Sequence, residues 1–109
     1  MKIYRILHKP TGLYFQNYRQ YVKSGLGPKG NIYKRKIDVD RIFQSWNTTG
    51  HARIKLTTGL YKKIKDKLTY DIMRTSIYSW REDLEEDDRY VSWDFYAPVD
   101  DFEIIEGEI

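Results

Sequence analysis

A chain of 109 residues with nineteen Lys and Arg, sixteen Asp and Glu, two His and no Cys has room for one core and excludes disulfides, thiolate nucleophiles and Cys-based zinc sites. Its formal charge of +3 conceals a division: residues 1–81 hold eighteen cations and four acids (+14), and residues 82–109 hold one cation and twelve acids (−11). Charge of this kind acts on partner choice and association rather than on fold, and the absence of any run near ~18 apolar residues, or of an N-terminal apolar leader, points to a soluble, unprocessed protein of a reducing cytosol.

Ten Tyr, four Phe and three Trp against two Ala favour strands over helices. Residues 2–8 and 13–16 flank Lys9, Pro10, Thr11 and Gly12, which reads as a β-hairpin around a type I turn. Residues 24–31, with three Gly and Pro28, read as a flexible loop before a short strand at 32–37. Val39, Ile42, Phe43 and Trp46 lie at i, i+3, i+4 and i+7, predicting a helix over 38–46 with Asp38 as N-cap.

Ala52, Ile54 and Leu56 alternate with polar residues as a half-buried strand. Leu60, Ile64, Leu68 and Ile72 recur every four, predicting an amphipathic helix capped by Thr57 or Thr58, with Lys62, Lys63, Lys65 and Lys67 on its outer face. A strand is expected over 75–80, a charged loop over 81–88, and strands at 91–96 and 102–109. The sum is a small α+β domain spanning residues 1–109, with a mainly antiparallel sheet and one or two short helices.

Nine cations precede the first acid, Asp38. Arg5, Lys9, Arg19, Lys23, Lys29, Lys34, Arg35 and Lys36, interleaved with Tyr14, Tyr18, Tyr21 and Tyr33, supply phosphate neutralisation beside rings that stack on unpaired bases, the kit for RNA or single-stranded DNA. Solvated charge and strand-pairing Tyr residues account for the same composition equally well. On a strand, Lys34 and Lys36 would share a side. The acids Glu82, Asp83, Glu85, Glu86, Asp87 and Asp88 fit a basic protein partner, or balance of the basic half, and carry no EF-hand spacing.

His8 and His51 are the only groups with ordinary pKa values near neutrality, so a metal-independent nuclease would have to use them. As a residue beside a turn and a residue opening a strand, they read as ordinary surface histidines. No phosphate-cradling glycine motif, nucleophile elbow, metal motif or cofactor fingerprint is present.

The run KIYRILHKPTGLYF at residues 2–15, KGNIY at 29–33 and FEII at 102–105 resemble small accessory proteins of tailed, T4-like bacteriophages, most clearly over residues 1–36. The resemblance implies a host-takeover or counter-defence role in the cytoplasm of an infected bacterium, one subclass being RNA-binding inhibitors of host toxin nucleases. It implies no catalytic residues. The expectation is a non-enzymatic binder of RNA or single-stranded DNA. The alternative is a protein-directed inhibitor of a host defence enzyme, anti-CRISPR or antitoxin-like, docking by complementary charge, and a third reading is head-to-tail self-association.

Overall fold

A computed structural model of the chain describes residues 1–17, 24–76 and 90–109. The N-terminal hairpin forms as expected from β1 (Lys2–His8) and β2 (Leu13–Phe15), with Leu7 opposite Tyr14 and His8 opposite Leu13. Its connection closes wider than a type I turn. The Gly12 amide donates to the His8 carbonyl at 2.9 Å, with Gly12 in the left-handed region at φ +72°.

The glycine-rich segment departs from expectation. Ser24, Gly25, Leu26 and Gly27 are buried, and Leu26–Gly27 is a two-residue strand, β3, paired with β2. Gly25 N–H donates to Lys55 O at 2.5 Å, and the Gln16 side-chain amide donates to Ser24 O at 2.7 Å. A Cβ on Gly25 would lie 3.1 Å from Ile54 and 3.2 Å from the Lys55 backbone, so the close approach of backbones selects glycine here rather than mobility.

The strand expected at 32–37 is replaced by a single bridge between Tyr33 and Tyr4, and helix α1 (Lys36–Thr49) begins two residues before Asp38. Arg35 is the extended residue before the helix, and Asp38 lies in the first turn. There the carboxylate complements the positive end of the helix and accepts two hydrogen bonds from the Arg35 guanidinium, at 2.9 and 3.1 Å, which hold its pKa below the usual carboxylate range. Gly50, at φ +83°, ends the helix by donating to Trp46 O. The expected stripe is real: Val39 is fully buried, and Ile42, Phe43 and Trp46 pack against the core. Trp46 meets Phe15 edge-on at 5.1 Å and Phe102 at 4.7 Å.

Strand β4 (His51–Leu56) buries Ala52, Ile54 and Leu56, as the alternation requires. Helix α2 (Thr58–Ile64) is capped by the Thr57 hydroxyl, which accepts from Leu60 N. It stops well short of Ile72: a 3₁₀ turn covers Lys65–Lys67 and Leu68 is extended. The fourfold spacing is overridden by tertiary demand, because Tyr70 leaves the helical path to stack on Phe95 at 4.9 Å. Strand β5 (Met73–Ser76) starts two residues before the expected strand, whose remainder, with the expected charged loop, lies outside the described residues.

Strand β6 (Val91–Pro98) lies between β4 and β5 in an antiparallel three-stranded sheet. After a 3₁₀ turn at Val99–Asp101, β7 (Phe102–Glu108) pairs antiparallel along the whole of β1, completing a four-stranded sheet in the order β3-β2-β1-β7. One core unites the sheets and helices: Ile6, Leu26 and Phe102 from the first sheet, Ala52, Ile54, Leu56, Phe95 and Ala97 from the second, Val39 from α1 and Ile64 from α2. The architecture is α+β with antiparallel sheets.

Candidate nucleic-acid interface

Alternation along β1 puts Tyr4, Ile6 and His8 on the face of the main core and Ile3, Arg5 and Leu7 on the other, where Ile3 is buried and Arg5 half-exposed. Tyr14, opposite Leu7 on β2, shares Arg5's face, and the Arg5 guanidinium lies 4.7 Å from the centre of the Tyr14 ring. Beyond β2, residues 28–33 take over as the neighbour of β1: Asn31 N–H donates to Phe15 O, and Tyr33 exchanges two 2.8 Å hydrogen bonds with Tyr4. Gly30 on that path lies against Tyr14, and Lys29 before it and Lys34 after Tyr33 are exposed. Lys9 is exposed in the hairpin turn. Among the described residues, Lys9, Lys29 and Lys34 have no ion pair.

Other expected members are placed differently. Tyr33 packs against the core instead of presenting its ring. Lys34 and Lys36 do not share a strand face, because Lys36 opens α1; Arg35 is engaged by Asp38, and Lys36 lies 3.8 Å from Asp40. Tyr18, Arg19, Tyr21 and Lys23, and the acids Glu82, Asp83, Glu85, Glu86, Asp87 and Asp88, lie outside the described residues. The charge division of the sequence is partly cancelled by folding. Acidic β7 lies beside basic β1, where Lys2 pairs with Glu106 at 3.1 Å, and Asp94 receives Arg53.

A second polar constellation was not singled out by the sequence. The face of the three-stranded sheet opposite the core carries His51, Arg53 and Lys55 from β4, Ser92, Asp94 and Tyr96 from β6, and Met73 and Thr75 from β5. Asp94 is fully buried. Its carboxylate accepts from Arg53 Nη2 at 2.8 Å, Ser92 Oγ at 2.6 Å and Thr75 Oγ1 at 3.4 Å, with Lys55 Nζ 3.8 Å away. Satisfaction by several donors is what a buried carboxylate requires. The signal was present in the outward phase of two alternating strands, Arg53 and Lys55 on one and Asp94 and Tyr96 on the other, but their pairing is a tertiary fact.

The histidines do not form a pair. His51 meets Tyr96 edge-on at 4.7 Å on the outer face. His8 is not a surface residue: it is fully buried, between Phe95 and Phe102. Tyr70 Oη–H donates to Asp101, so the Tyr70 oxygen accepts from His8 Nε2–H at 3.1 Å; the Thr11 hydroxyl, 2.8 Å from His8 Nδ1, donates to the His8 carbonyl at 3.4 Å. Burial lowers the His8 pKa from 6.5 to about 4, with the Asp101 charge opposing, and burial followed by the hydrogen bond to Asp101 raises that of Tyr70.

Above pH 6.5 neither folded nor unfolded protein holds the His8 proton, and between 6.5 and about 4 the unfolded chain alone does. The contribution of neutral His8 is therefore complete above pH 6.5 and lost as pH falls to about 4, on the order of 3 kcal/mol. Denaturant unfolding at several pH values should show this slope in the wild type and lack it in His8→Gln. Equal slopes in both proteins would reject the assignment.

No group of three or more metal-ligating side chains occurs among the described residues, and none of their helices is long and apolar enough to cross a membrane. No family model matches the chain, and comparison with curated proteins and with solved structures gives no significant match.

Proposed function

We propose that this protein is a non-enzymatic bacteriophage accessory protein that binds RNA or single-stranded DNA in the cytoplasm of an infected bacterium, acting in counter-defence such as the inhibition of a host toxin nuclease. The observation that carries the binding reading is the half-exposed Arg5–Tyr14 pair at 4.7 Å, on a chain whose exposed Lys29 and Lys34 have no acidic partner among the described residues. A cation already stacked on a ring joins the two attractions a single strand offers, phosphate charge and an unpaired base. The phage setting rests on the resemblance of residues 2–15, 29–33 and 102–105.

Fluorescence anisotropy against labelled single-stranded RNA, single-stranded DNA and duplex DNA at two salt concentrations tests this. Binding is expected to be stronger for single strands and to weaken steeply with salt. Replacing Lys29 and Lys34 by Ala should lower affinity for all sequences alike and flatten the dependence of log K on log salt by about 0.7 per lysine. Absence of binding at low salt would leave a protein-directed inhibitor as the better account. That second reading draws on the exposed acids of β7, Glu103, Glu106 and Glu108, which offer a basic host protein a complementary strand.

A further inference from the structure

The outer face of the β4-β6-β5 sheet holds the most organised set of polar side chains among the described residues, and the Arg5–Tyr14 surface does not use it. We infer that this face is a second nucleotide subsite for the same single strand, with Tyr96 stacking a base and Arg53 binding the adjacent phosphate; the inference rests on the nucleic-acid reading above.

Arg53 and Tyr96 are register partners on adjacent strands, with the guanidinium carbon 6.0 Å from the centre of the Tyr96 ring. The Arg53 side chain is 47% exposed although one of its terminal nitrogens is bound to buried Asp94. A guanidinium has five N–H donors, and this one makes no other hydrogen bond among the described residues. Asp94 therefore fixes the guanidinium from below and leaves its other edge to solvent. A planar fork held in one orientation loses little freedom when it accepts a phosphate.

Stability alone gives a weak reason for this arrangement, because apolar residues commonly replace a buried ion pair without loss. The sign of the face is decided by depth. The Asp94 carboxylate does not reach solvent whereas the Arg53 guanidinium bound to it is 47% exposed, so an approaching strand meets the cation rather than the acid. Tyr96 is 45% exposed and Met73, on the far side of Asp94, is 44% exposed, so the face also offers a ring and a thioether to bases. This combination of exposed stacking side chains and a half-exposed guanidinium suits single strands and not duplex, whose bases are already stacked.

The test uses the full chain and two labelled probes of equal length, an oligouridine and the same phosphate backbone without bases. Tyr96→Ala is expected to weaken oligouridine binding by about 5- to 150-fold, the worth of one stacked base, while sparing the abasic probe. Tyr96→Phe, which keeps the ring, should restore oligouridine binding. Arg53→Gln should weaken both probes and flatten the salt dependence. Circular dichroism melting checks that each variant is folded, and Tyr96→Phe provides the comparison if the Ala variant is not. Oligouridine binding that depends on Lys29 and Lys34 but ignores Tyr96 and Arg53 would overturn the subsite and leave the nucleic-acid reading standing. Failure of the wild-type protein to bind either probe at low salt would overturn both, and capture by a host protein in its place would assign the face to that partner.

Discussion

Replacement of Phe95 by Ala is expected to lower the unfolding free energy by about 3–5 kcal/mol, a large share of the ~5–15 kcal/mol available to a domain of this size. Phe95 is fully buried on the central strand of its sheet, opposite Ile54. Its ring lies nearly parallel to Tyr70 at 4.9 Å and tilted against His8 at 5.9 Å. Truncation would therefore open a cavity on one side of the His8–Tyr70–Asp101 hydrogen-bond chain, where polar groups depend on the exclusion of water. Equilibrium denaturation with urea measures the loss. A change below about 1 kcal/mol would mean that the site collapses around the smaller side chain and that the core is not centred there.

Substitution of Gly30 by Ala should cost about 2–4 kcal/mol, the sum of a left-handed backbone and an overpacked contact. Gly30 has φ +65°, and a Cβ built on it would lie 2.4 Å from Tyr14 Cβ and 2.8 Å from Phe15 O, the carbonyl that accepts from Asn31 N–H. Gly12 supplies the control. Its φ is +72° but nothing lies within 4 Å of its would-be Cβ, so Gly12→Ala should cost only the conformational part, about 1–2 kcal/mol. Thermal melts of the two variants separate the contributions, and equal losses would show that the contact with Tyr14 is relieved without cost. Displacement of Tyr14 would also move the ring beneath Arg5, so Gly30→Ala should weaken single-strand binding more than Gly12→Ala does.

Elements whose apolar spacing is satisfied locally were legible in the sequence. The hairpin around Pro10 and Gly12, the stripe of Val39, Ile42, Phe43 and Trp46, and the alternation in β4 each bury a face that their own period defines. What could not be read depends on partners distant in sequence. Tyr70 and Ile72 look helical beside Leu60 and Ile64, yet Tyr70 is drawn away by Phe95, His8 and Asp101. His8 reads as a turn-side surface residue until Phe102 and Tyr70 close over it. Lys36 reads as strand because its helix has no side-chain N-cap to announce an earlier start.

The candidate surface was legible in kind and less so in position. The Arg5 guanidinium lies over the Tyr14 ring, and Lys29 and Lys34 are exposed. Arg35 and Lys36 are drawn toward acids one helical turn on, and Tyr33 toward the core. The Arg53–Asp94 pair joins residues from the basic and acidic parts of the sequence, a match that neither strand's own pattern specifies.

Lys2 is in register with Glu108 and His8 with Phe102, so the most extensive strand pairing among the described residues joins β1 to β7. Such a ladder pays its loop-closure entropy late, since every other element lies between its two halves. Until residues 102–108 dock, β1 has hydrogen-bond partners on one side only, and the side facing away is an open template carrying Ile3 and Ile6. Folding should thus be slow for a domain of this size, limited by the search that brings β7 home, and a fragment lacking residues 102–108 should aggregate through β1 although it retains α1 and α2.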